Sequence, residues 1–379
     1  MFDVSSRPSI LIVGQTPPPF HGQAVATKIL FDHDWHGLQV LRLRMAYSSG
    51  EADVGKFGFG KLLHLMALIL KSWWILIRNR PCVLYYPPAS PNLIPVLRDI
   101  VYLLAVRPFS NRIILHYHAG GLPEYVDSMN PFLRFLARCA YGRAKVSIEI
   151  SKSEMGPGVA FAAENRFHVA NGLDVPVISD LEPSLDPPVF RILYIAGLRK
   201  TKGVMDIIET AIALRSHDRD FIIDVVGPWQ EEDTRRCFES AVAQADVADC
   251  IVMHGRITGE EKWLLYRKAS LFFFPSYYES ENFPLVLIEA MAFSLPVVAT
   301  RWRGIPEMVV DGETGILCEI RSTEQFSDAI VDLMTDTKKK DAMSFAAQSR
   351  YQSKYTQAAF LESMRRAFDV AVVKEEGNL

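Results

Sequence analysis

The chain has 379 residues and a net charge of −3, with 49% hydrophobic and 22% charged residues, which is typical of a globular protein with room for two domains. This near balance of charge gives no reason to expect a nucleic-acid partner. The five scattered cysteines form no Cys-x-x-Cys pair, which argues against a disulfide framework or a cysteine zinc site. The N-terminal apolar run ILIV is too short for a signal peptide, so we predict a cytoplasmic protein.

Short β-rich runs alternate with helical patterns along the whole chain. In the first half, strands are predicted at 9–15, 82–88, 112–121 and 145–151. The pattern then restarts, with strands predicted at 190–198, 221–227, 249–255, 271–276 and 295–300. Strands that alternate with helices predict parallel sheets. The fold class is therefore α/β, with two Rossmann-like doubly wound domains facing across a cleft.

The boundary between these domains is predicted from composition. Residues 167–190 contain four prolines and several turn residues, which is typical of a linker. We predict an acceptor-side domain at 1–175, a linker at 176–189 and a donor domain at 190–355. A last helix at 356–373 is expected to pack back on the first domain. Ligands of such sheets bind beyond the carboxyl ends of the strands, so the site is expected in those loops.

One segment, residues 59–80, is strongly apolar. Lys71 interrupts it, so no uncharged run is long enough to span a bilayer. On a helix, His64, Lys71 and Arg78 share one face, and a wide apolar arc with two tryptophans remains. Two interpretations stay open: a helix packed on a sheet, which we favour, and a helix that docks on a membrane surface with its basic residues near lipid phosphates.

Two of the three glutamates in the largely apolar stretch ESENFPLVLIEAMAF at 279–293, Glu281 and Glu289, lie close to its apolar run. Glu281 precedes a helix predicted to begin near Pro284, and Glu289 lies about one turn inside it. Both would lie near the positive end of the helix dipole, where free backbone amides can hold an anion. The pair suits a ligand with hydroxyls and phosphate, as a nucleotide sugar has. Glutamates at this position also serve simply as helix caps, and that interpretation stays open.

A second candidate feature follows the first strand of the second half. The sequence GLRKTKG ends with Lys202 and Gly203, which open a predicted helix at 203–216. A lysine here can reach a diphosphate as a mobile point charge, reinforced by the helix dipole. A solvated basic turn is the plainer interpretation, because such turns commonly follow strands.

Histidines and a glycine mark the loops of the first half. His116 and His118 alternate with Tyr117 and so face the same side, but no carboxylate or cysteine cluster supports a metal there. Gly22 in TPPPFHGQA allows the backbone to approach a ligand closely. The acids of the Asp-His-Asp sequence at 32–34 are predicted to cap or solvate a turn, so no metal site is assigned.

The sequence PSYYESENFPLVLIEAMAFSLPVVAT at 275–300 resembles the signature of the family-four retaining glycosyltransferases, which have the GT-B fold. Glu281 and Glu289 match the Glu-x7-Glu motif of that family. VANGLD at 169–174 and RGIPEMVVDGETGIL at 303–317 are similar to further family motifs, in the same order along the chain.

The resemblance implies a role for each matched residue. Glu289 would accept hydrogen bonds from the ribose hydroxyls, Glu281 would hold a hydroxyl of the donor sugar, and Lys202 would neutralise the leaving diphosphate. His118 matches a histidine near the reacting carbon. The implied catalytic residues are His118, Lys202 and Glu281, and the implied donor-binding residues are Gly22, Arg199, Lys202, Glu281, Asn282, Phe283, Pro284, Leu285 and Glu289.

The chain departs from the family pattern in two places. Gly197 stands where the family often has an arginine that helps its lysine bind phosphate, and Arg199 is close enough in sequence to substitute. The common Gly-Gly pair of the first loop is His21-Gly22 here. We expect His21 to be tolerated at this position rather than catalytic.

Together these features predict a metal-independent, retaining glycosyltransferase without a cofactor. It would transfer a sugar from a nucleotide-diphosphate sugar to a hydroxyl of a glycan acceptor, including a lipid-linked one, in the assembly of bacterial-type polysaccharide or glycolipid. The expected partners are the donor, the acceptor and an anionic membrane at its cytoplasmic face, with no nucleic acid. Two alternatives stay open: an epimerase-type GT-B enzyme, and a non-catalytic subunit that binds nucleotide sugar.

Overall fold

The computed structural model describes residues 7–18, 21–46, 59–110, 112–152, 156–176, 189–217 and 220–373. The chain divides into two compact units, Met1–Asn171 with Gln357–Leu379, and Gly172–Thr356. The second unit thus starts slightly before the predicted linker, and most of that linker lies outside the described residues. Each unit contains its own six-stranded sheet.

All neighbouring strands in the sheet of the first unit are parallel. The strands are β1 (Ser9–Gly14), β2 (Gln39–Arg44), β3 (Cys82–Tyr86), β4 (Ile113–Tyr117), β5 (Val146–Glu149) and β6 (Asn165–His168). Their order is β2-β1-β3-β4-β5-β6. The four central strands are buried along their whole length, whereas the two edge strands are partly exposed. Burial on both faces explains why the central strands are near-continuous apolar runs.

The helices that follow these strands pack on the sheet. They are α1 (Gly22–Asp32), α2 (Phe59–Arg78), α3 (Leu93–Val106), α4 (Leu122–Ser128), α5 (Pro131–Tyr141) and α6 (Pro157–Ala160). Alternate strand residues point to opposite faces, so Val13 and Leu84 join the core beneath α2, α3 and α5. Ile12 and Tyr85 face the other way and pack against α1.

The second unit repeats this architecture with a different strand order, β12-β11-β10-β7-β8-β9. These strands are β7 (Phe190–Ile195), β8 (Phe221–Val226), β9 (Ile251–Gly255), β10 (Leu271–Phe274), β11 (Val297–Thr300) and β12 (Gly315–Cys318). Its helices are α7 (Val204–Arg215), α8 (Glu232–Gln244), α9 (Glu260–Lys268), α10 (Leu285–Ala292), α11 (Ile305–Met308), α12 (Thr323–Thr335) and α13 (Thr337–Lys354). Phe273 packs beneath α7 and α12, while Phe272 faces the opposite side and stacks on Tyr266 of α9.

The C-terminal helix, α14 (Gln357–Val372), packs on the sheet of the first unit. Its apolar residues Phe360, Met364 and Phe368 enter the core on the α1 side. The ring of Phe368 lies 4.8 Å from that of Trp35 and 5.9 Å from that of Tyr85, measured between centroids. The spacing of these residues at every fourth position places them on one helix face, which is the face buried here.

Helix α2 has one face in the core and one outside. Leu65, Leu68 and Leu76 are buried, which agrees with the interpretation of a helix packed on a sheet. The opposite face is exposed and equally apolar, with the side chains of Leu62, Leu63, Met66, Leu70, Trp74 and Ile77. Packing on the sheet therefore accounts for only half of the apolar residues in this segment.

Candidate functional site

The strand order of the second sheet reverses between β7 and β10. From β7 the chain continues to β8 on one side, and from β10 it continues to β11 on the other. Ligands of parallel α/β sheets bind beyond the carboxyl ends of the strands at such a point. The loops after β7 and β10 meet there, because the backbone N–H of Tyr277 donates to the carbonyl of Thr201 over 2.9 Å.

Gly203 makes the close contact between these loops possible. Its φ is +77°, a left-handed conformation that glycine adopts without strain. A Cβ at this position would lie 2.3 Å from the carbonyl oxygen of Pro275. The glycine after Lys202 is therefore required by backbone geometry, and it brings the lysine against the loop that contains Glu281.

Lys202 and Glu281 form a largely buried ion pair. Lys202 Nζ lies 2.5 Å from Glu281 Oε2, and the hydroxyl of Ser276 donates to the same oxygen over 2.7 Å. The ammonium also lies 4.8 Å from the ring centroid of Tyr278, within range of a cation–π contact. The two opposite charges neutralise each other, and both side chains are largely shielded from solvent. A phosphate that entered this edge of the sheet would compete with Glu281 for the lysine.

Arg199 lies beside Lys202 and shares the same aromatic ring. Its guanidinium carbon is 5.1 Å from the centroid of Tyr278, and its Nε is 3.4 Å from Glu231 Oε1. The space beside Gly197 is filled, since a Cβ there would lie 2.2 Å from the side-chain nitrogen of Gln230. An arginine therefore does not fit at 197 without moving Gln230. Arg199 and Lys202 are thus two cations that contact the same tyrosine ring.

Glu289 lies inside α10 and is held by two residues of α9. Lys262 Nζ lies 2.6 Å from Glu289 Oε1, and the hydroxyl of Tyr266 donates to Oε2 over 2.6 Å. Burial, together with the negative charge of Glu289, raises the pKa of Tyr266 well above its usual value, so the phenol keeps the proton that it donates. These partners explain how a carboxylate is accommodated within an otherwise buried apolar helix.

The start of α10 follows Glu281 closely, and residues 282–285 form it. The helix begins at Leu285, and Pro284 precedes it in an extended conformation. Phe283 and Pro284 are buried, while Asn282 and Leu285 are half-buried. The first backbone amides of a helix have no partner within it, so this terminus offers donors close in sequence to Glu281.

The loop after β1 in the first unit contains Gly22, and the structure gives the neighbouring His21 a structural role. His21 caps α1, because its Nδ1 accepts a hydrogen bond from the backbone N–H of Ala24 over 3.3 Å. Gly22 is the first residue of that helix. The side chain of Gln23 donates to the carbonyl of Pro87 over 3.2 Å. This contact ties the start of α1 to the loop after β3, where the order of the first sheet reverses.

His116 and His118 face the same side of β4, and their ring centroids are 4.0 Å apart. His116 is fully buried, with Nδ1 2.7 Å from the hydroxyl oxygen of Tyr85. Burial lowers the pKa of His116 well below its usual value. The nitrogens of His118 are also covered, and burial, together with nearby His21, lowers its pKa to about 3. Both rings are therefore neutral at physiological pH.

Within the part of the chain that the structure describes, no group of three or more His, Cys, Asp or Glu residues is placed to hold a metal ion. Asp32 forms an ion pair with Lys28 of its own helix, with 2.7 Å between Nζ and Oδ2. Asp34 lies 3.4 Å from His36. Both acids are thus in surface contacts at the end of α1.

Four residues that contact Glu281, Glu289 or Lys202 carried no recognised signal in the sequence: Ser276, Tyr278, Lys262 and Tyr266. Lys262 and Tyr266 are four residues apart and so share one face of α9. That spacing indicates a common target without saying which one. Ser276 is the second residue after β10. Polar residues in that position could have been considered, because the carboxyl ends of the strands were already expected to form the site.

Residues 182–350 match the model of the family described as Glycosyl transferases group 1. Over 193 residues, the chain is 31% identical to a D-inositol 3-phosphate glycosyltransferase of Pseudarthrobacter chlorophenolicus. That match covers 49% of this chain and 44% of the relative, so it spans less than half the length of that protein.

Two solved structures are similar over nearly the whole chain. Sucrose-phosphate synthase from Thermosynechococcus elongatus is 18% identical, with a TM-score of 0.67 and coverage of 96% of this chain and 98% of that one. HepE from Anabaena, solved in complex with UDP and glucose, is 16% identical, with a TM-score of 0.66 and coverage of 96% and 100%. At these identities the similarity shows the fold. Residues 182–350 are therefore similar to the group 1 glycosyl transferases, and the fold of the chain is GT-B.

Proposed function

We propose that this chain is a retaining glycosyltransferase that moves a sugar from a nucleotide-diphosphate sugar to a hydroxyl of a glycan acceptor. The family match of the second unit supports a sugar-nucleotide donor. The observation that carries the proposal is the pair of glutamates, Glu281 and Glu289. Each is nearly buried and held by one lysine and one hydroxyl, at or beside the point where the sheet order reverses.

These contacts suit a ligand that carries both hydroxyls and phosphate. On donor binding, Lys202 would exchange Glu281 for the diphosphate, and Glu281 would then accept a hydrogen bond from a hydroxyl of the sugar. Glu289 would accept hydrogen bonds from the ribose. The ion pair thus keeps a cation and a hydrogen-bond acceptor side by side, and the donor would separate them.

In the transfer step, negative charge builds on the departing diphosphate while the sugar carbon gains positive character. Lys202, with Arg199 beside it and the first amides of α10, would stabilise that charge without a metal ion, and such preorganised stabilisation is often the largest part of catalysis. The acceptor hydroxyl would attack from the same face and lose its proton toward the departing phosphate. Gly22 and the neutral ring of His118 are proposed to contribute from the first unit.

A thermal-shift panel of nucleoside diphosphates and their sugars, with magnesium or with EDTA, tests the donor site. A ligand that binds only the folded chain raises its melting temperature by mass action. We expect a shift with one base in both buffers, and its loss in Glu289→Gln. The matched control is Glu324→Gln, an exposed glutamate of α12, which should keep the shift. No shift with any nucleotide would overturn the proposal.

Turnover separates transfer from the two alternatives. The donor that shifts the melting temperature is incubated alone and with glycan acceptors, and the products are analysed for anomeric configuration. A glycosyltransferase forms a product with retained configuration only when an acceptor is present. Conversion of the donor sugar without an acceptor indicates an epimerase-type enzyme. Binding without turnover on any acceptor indicates a non-catalytic subunit.

We also propose that the first unit docks on the cytoplasmic face of an anionic membrane, where a lipid-linked acceptor would be located. Among the described residues one helix, Gly60–Arg78 of α2, is long and apolar enough by length and composition to cross a membrane, and only 22% of that segment is buried. Core helices of soluble proteins can be equally long and apolar, but they are mostly buried. Since the inner face of α2 packs on the sheet, this helix would lie along the membrane surface rather than cross it.

The neighbouring helices extend this surface. Helix α3 packs against both α2 and α5, so the three form one layer over the sheet. Helices α2 and α5 contain no Asp or Glu, and the one acid of α3, Asp99, is buried and accepts a hydrogen bond from Tyr86 over 2.7 Å. The layer therefore presents basic and apolar groups. Its exposed apolar residues are Leu62, Leu63, Met66, Leu70, Trp74, Ile77, Leu93, Ile94, Val101, Phe132 and Phe135.

Co-sedimentation with vesicles tests this docking. We expect the wild-type chain to sediment with anionic vesicles, less so in high salt because the attraction is partly electrostatic. The double variant Trp74→Ser with Phe135→Ser should remain largely in the supernatant. Phe345→Ser removes a large exposed ring from the second unit and should sediment as the wild type does. A wild-type chain that stays in the supernatant with anionic vesicles would contradict the membrane proposal. The proposal of a donor site in the second unit would not be affected.

A further inference from the structure

Two arginines occupy equivalent positions beyond two neighbouring strands of the second sheet. Strand β11 ends at Thr300 and β12 ends at Cys318, and these two residues are partners in the parallel register. Arg303 and Arg321 each lie three residues beyond those ends, and both are exposed. Both arginines therefore lie at the carboxyl edge of the sheet, where the candidate site is located.

The backbone of both arginines is left-handed, with φ of +48° at Arg303 and +58° at Arg321. A residue with a side chain is disfavoured in this conformation, and glycine is not. Ser294, two residues after α10, has the same conformation, so the backbone alone does not mark a site. What distinguishes the two arginines is the surroundings of their side chains.

Each arginine contacts an aromatic ring instead of an acid. The guanidinium carbon of Arg303 lies 5.4 Å from the ring centroid of Trp302, and that of Arg321 lies 4.5 Å from that of Tyr277. Both distances allow a cation–π contact. Neither arginine forms an ion pair with a residue that the structure describes, although Arg321 interacts with Asp206 over a longer distance.

Arg301, in the same loop as Arg303, shows the contrast. Its guanidinium lies 2.7 Å from a carboxylate oxygen of Asp311 and 3.7 Å from one of Glu319. One loop thus contains an arginine whose charge is compensated within the chain and another whose charge is not. An uncompensated cation at a ligand-binding edge indicates an anionic ligand group.

The loop after β11 is fixed beside the segment that would hold the donor sugar. The indole N–H of Trp302 donates to the carbonyl of Tyr278 over 2.8 Å. A Cβ at Gly304 would overlap the carbonyl oxygen of Asn282, so the backbone of the loop packs closely on the residue after Glu281. The arginine between Trp302 and Gly304 is therefore held next to that segment.

Arg321 reaches the same segment from the other side of β11. This strand lies between β12 and β10 in the sheet, and Arg321 follows β12 whereas Tyr277 follows β10. The contact of Arg321 with the ring of Tyr277 thus spans the carboxyl end of β11. Tyr277 directly follows Ser276, which binds Glu281. Both uncompensated arginines adjoin residues around Glu281.

The diphosphate does not account for these two cations. Lys202 and Arg199 supply the positive charge proposed for it, and both are paired with glutamates of the chain. Arg303 and Arg321 are additional cations at the same edge. A carboxylate on the sugar would match them, because the planar guanidinium group forms parallel hydrogen bonds with a carboxylate.

We propose that Arg303 and Arg321 are specificity-determining residues that bind a carboxylate on the transferred sugar, so that the donor is a nucleoside diphosphate uronate rather than a neutral hexose. This inference rests on the proposed donor site. It names the class of sugar that the site takes and assigns the selection to the loops after β11 and β12.

The test compares two pairs of donors by isothermal titration calorimetry: UDP-glucose with UDP-glucuronate, and GDP-mannose with GDP-mannuronate. The members of a pair differ only by a carboxylate in place of a hydroxymethyl group. For one pair, the wild-type chain should bind the uronate about 4- to 25-fold more tightly than the hexose, because each exposed ion pair contributes about two- to fivefold. High salt should reduce this ratio.

The variants assign the preference to the two side chains. Arg303→Met and Arg321→Met should each lower the ratio by about two- to fivefold, and the double variant should bring it to within about twofold of one. Affinity for the neutral hexose should stay as in the wild type, which shows that the variants are folded. The single variants decide the test if the double variant does not fold.

The matched control is Arg301→Met. It removes a positive charge from the same loop, but that charge is already compensated by Asp311 and Glu319. The preference for the uronate should therefore stay as in the wild type. An equal loss of preference in Arg301→Met and Arg303→Met would overturn the inference, because the general charge of the loop would then be responsible.

The remaining failures are distinguishable. If the wild-type chain binds the hexose as tightly as the uronate, or more tightly, the nucleotide site stands and the inference is overturned. A preference that persists in the double variant also overturns it, because the carboxylate is then bound elsewhere. If none of the four compounds binds, the inference is wrong, and the thermal-shift panel decides separately whether the proposed donor site stands.

Discussion

The carboxyl edges of the two sheets belong to parallel α/β units with different strand orders, and they also carry different side chains. In the second unit, the edge collects charged groups in pairs, with Lys202 on Glu281 and Arg199 on Glu231. In the first unit, the carboxyl end of β4 carries His116 and His118, whose rings are neutral. The shared fold therefore provides a place for a site, and the loop residues decide whether that place suits a charged or an uncharged ligand.

This difference agrees with the division of labour proposed for the two units. A diphosphate needs cations that can be released to it, and an ion pair stores such a cation without leaving it unpaired. A glycan acceptor is uncharged at the reacting hydroxyl, so neutral rings are compatible with it.

The carboxyl edge of the second sheet, with Lys202, Glu281, Arg199 and Glu231, is called the charged edge here. The largest effect is expected when Lys202 is replaced. Lys202→Met should lower kcat for sugar transfer by about 100- to 1,000-fold, because it removes a preorganised cation from the departing diphosphate. Steady-state transfer assays measure this. The control is Lys200→Met, an exposed lysine of the same loop, which should stay within about twofold of the wild type. Equal activity of both variants would show that the charged edge does not serve the diphosphate.

A smaller effect, on stability, is expected from the glycine that joins the two loops. Gly203→Ala should lower the free energy of unfolding by about 3 kcal/mol, because it combines left-handed strain with a clash against Pro275. Gly255→Ala is the matched control: φ is +67° and no atom lies within 4 Å of the added Cβ. It should cost only about 1–2 kcal/mol. Urea denaturation measures both, and equal losses would mean that the close contact contributes nothing.

The two neutral histidines at the end of β4, His116 and His118, predict a pH dependence of stability in the first unit. In the unfolded chain a histidine has a pKa near 6.5, whereas burial lowers the pKa of His116 and brings that of His118 to about 3. Unfolding therefore takes up protons below pH 6.5, and the free energy of unfolding falls as the pH falls from 6.5 toward the folded values. Each ring contributes up to about 1.4 kcal/mol per pH unit.

Replacing one ring isolates this contribution. His116→Gln should remove up to about 1.4 kcal/mol per pH unit from the slope between pH 6 and 4.5, as measured by urea denaturation at several pH values. His36→Gln replaces an exposed histidine and should leave the slope unchanged. A slope that is the same in His116→Gln and the wild type would show that the buried ring is not neutral in the folded chain.

The smallest effect is expected from the second cation of the charged edge. Arg199 is about one-third exposed and already paired with Glu231, so its contribution is screened by solvent. Arg199→Met should weaken nucleoside diphosphate binding by about three- to fivefold, in line with partly exposed ion pairs. Calorimetric titration beside Lys202→Met measures the difference. An equal loss in both variants would make Arg199 a full substitute for the arginine that is absent at Gly197.

The sequence predicted the central strands of both sheets better than their edges. Buried central strands such as β1 and β4 are mostly apolar runs, and both were predicted. β2, β6 and β12 were not predicted, and each is an edge strand. An edge strand has a neighbour on one side only and needs fewer apolar residues; β2, for example, alternates exposed and half-buried positions. Such short or alternating patterns carry little signal in a single sequence.

The prediction of site residues from the sequence is limited in a similar way. Glu281, Glu289 and Lys202 were predicted as site residues from their local surroundings, acids in an apolar stretch and a Lys-Gly pair at the end of a strand, and from their match to the family motifs. Lys262 was not recognised, because a lysine in the first turn of a polar helix has nothing unusual around it in sequence. Its importance comes only from its contact with Glu289.

The sequence by itself determined the alternation of strands and helices, the loops in which a site could form and the residues of those loops that can carry charge, because these depend on local pattern. The tertiary structure alone decided which cation meets which acid. Lys202 and Glu281 are 79 residues apart and meet because β10 lies next to β7 in the sheet. Lys262 reaches Glu289 because α9 and α10 both pack on that sheet. Strand order and helix packing arise from the burial of apolar surface by the whole unit, and no short segment contains that information.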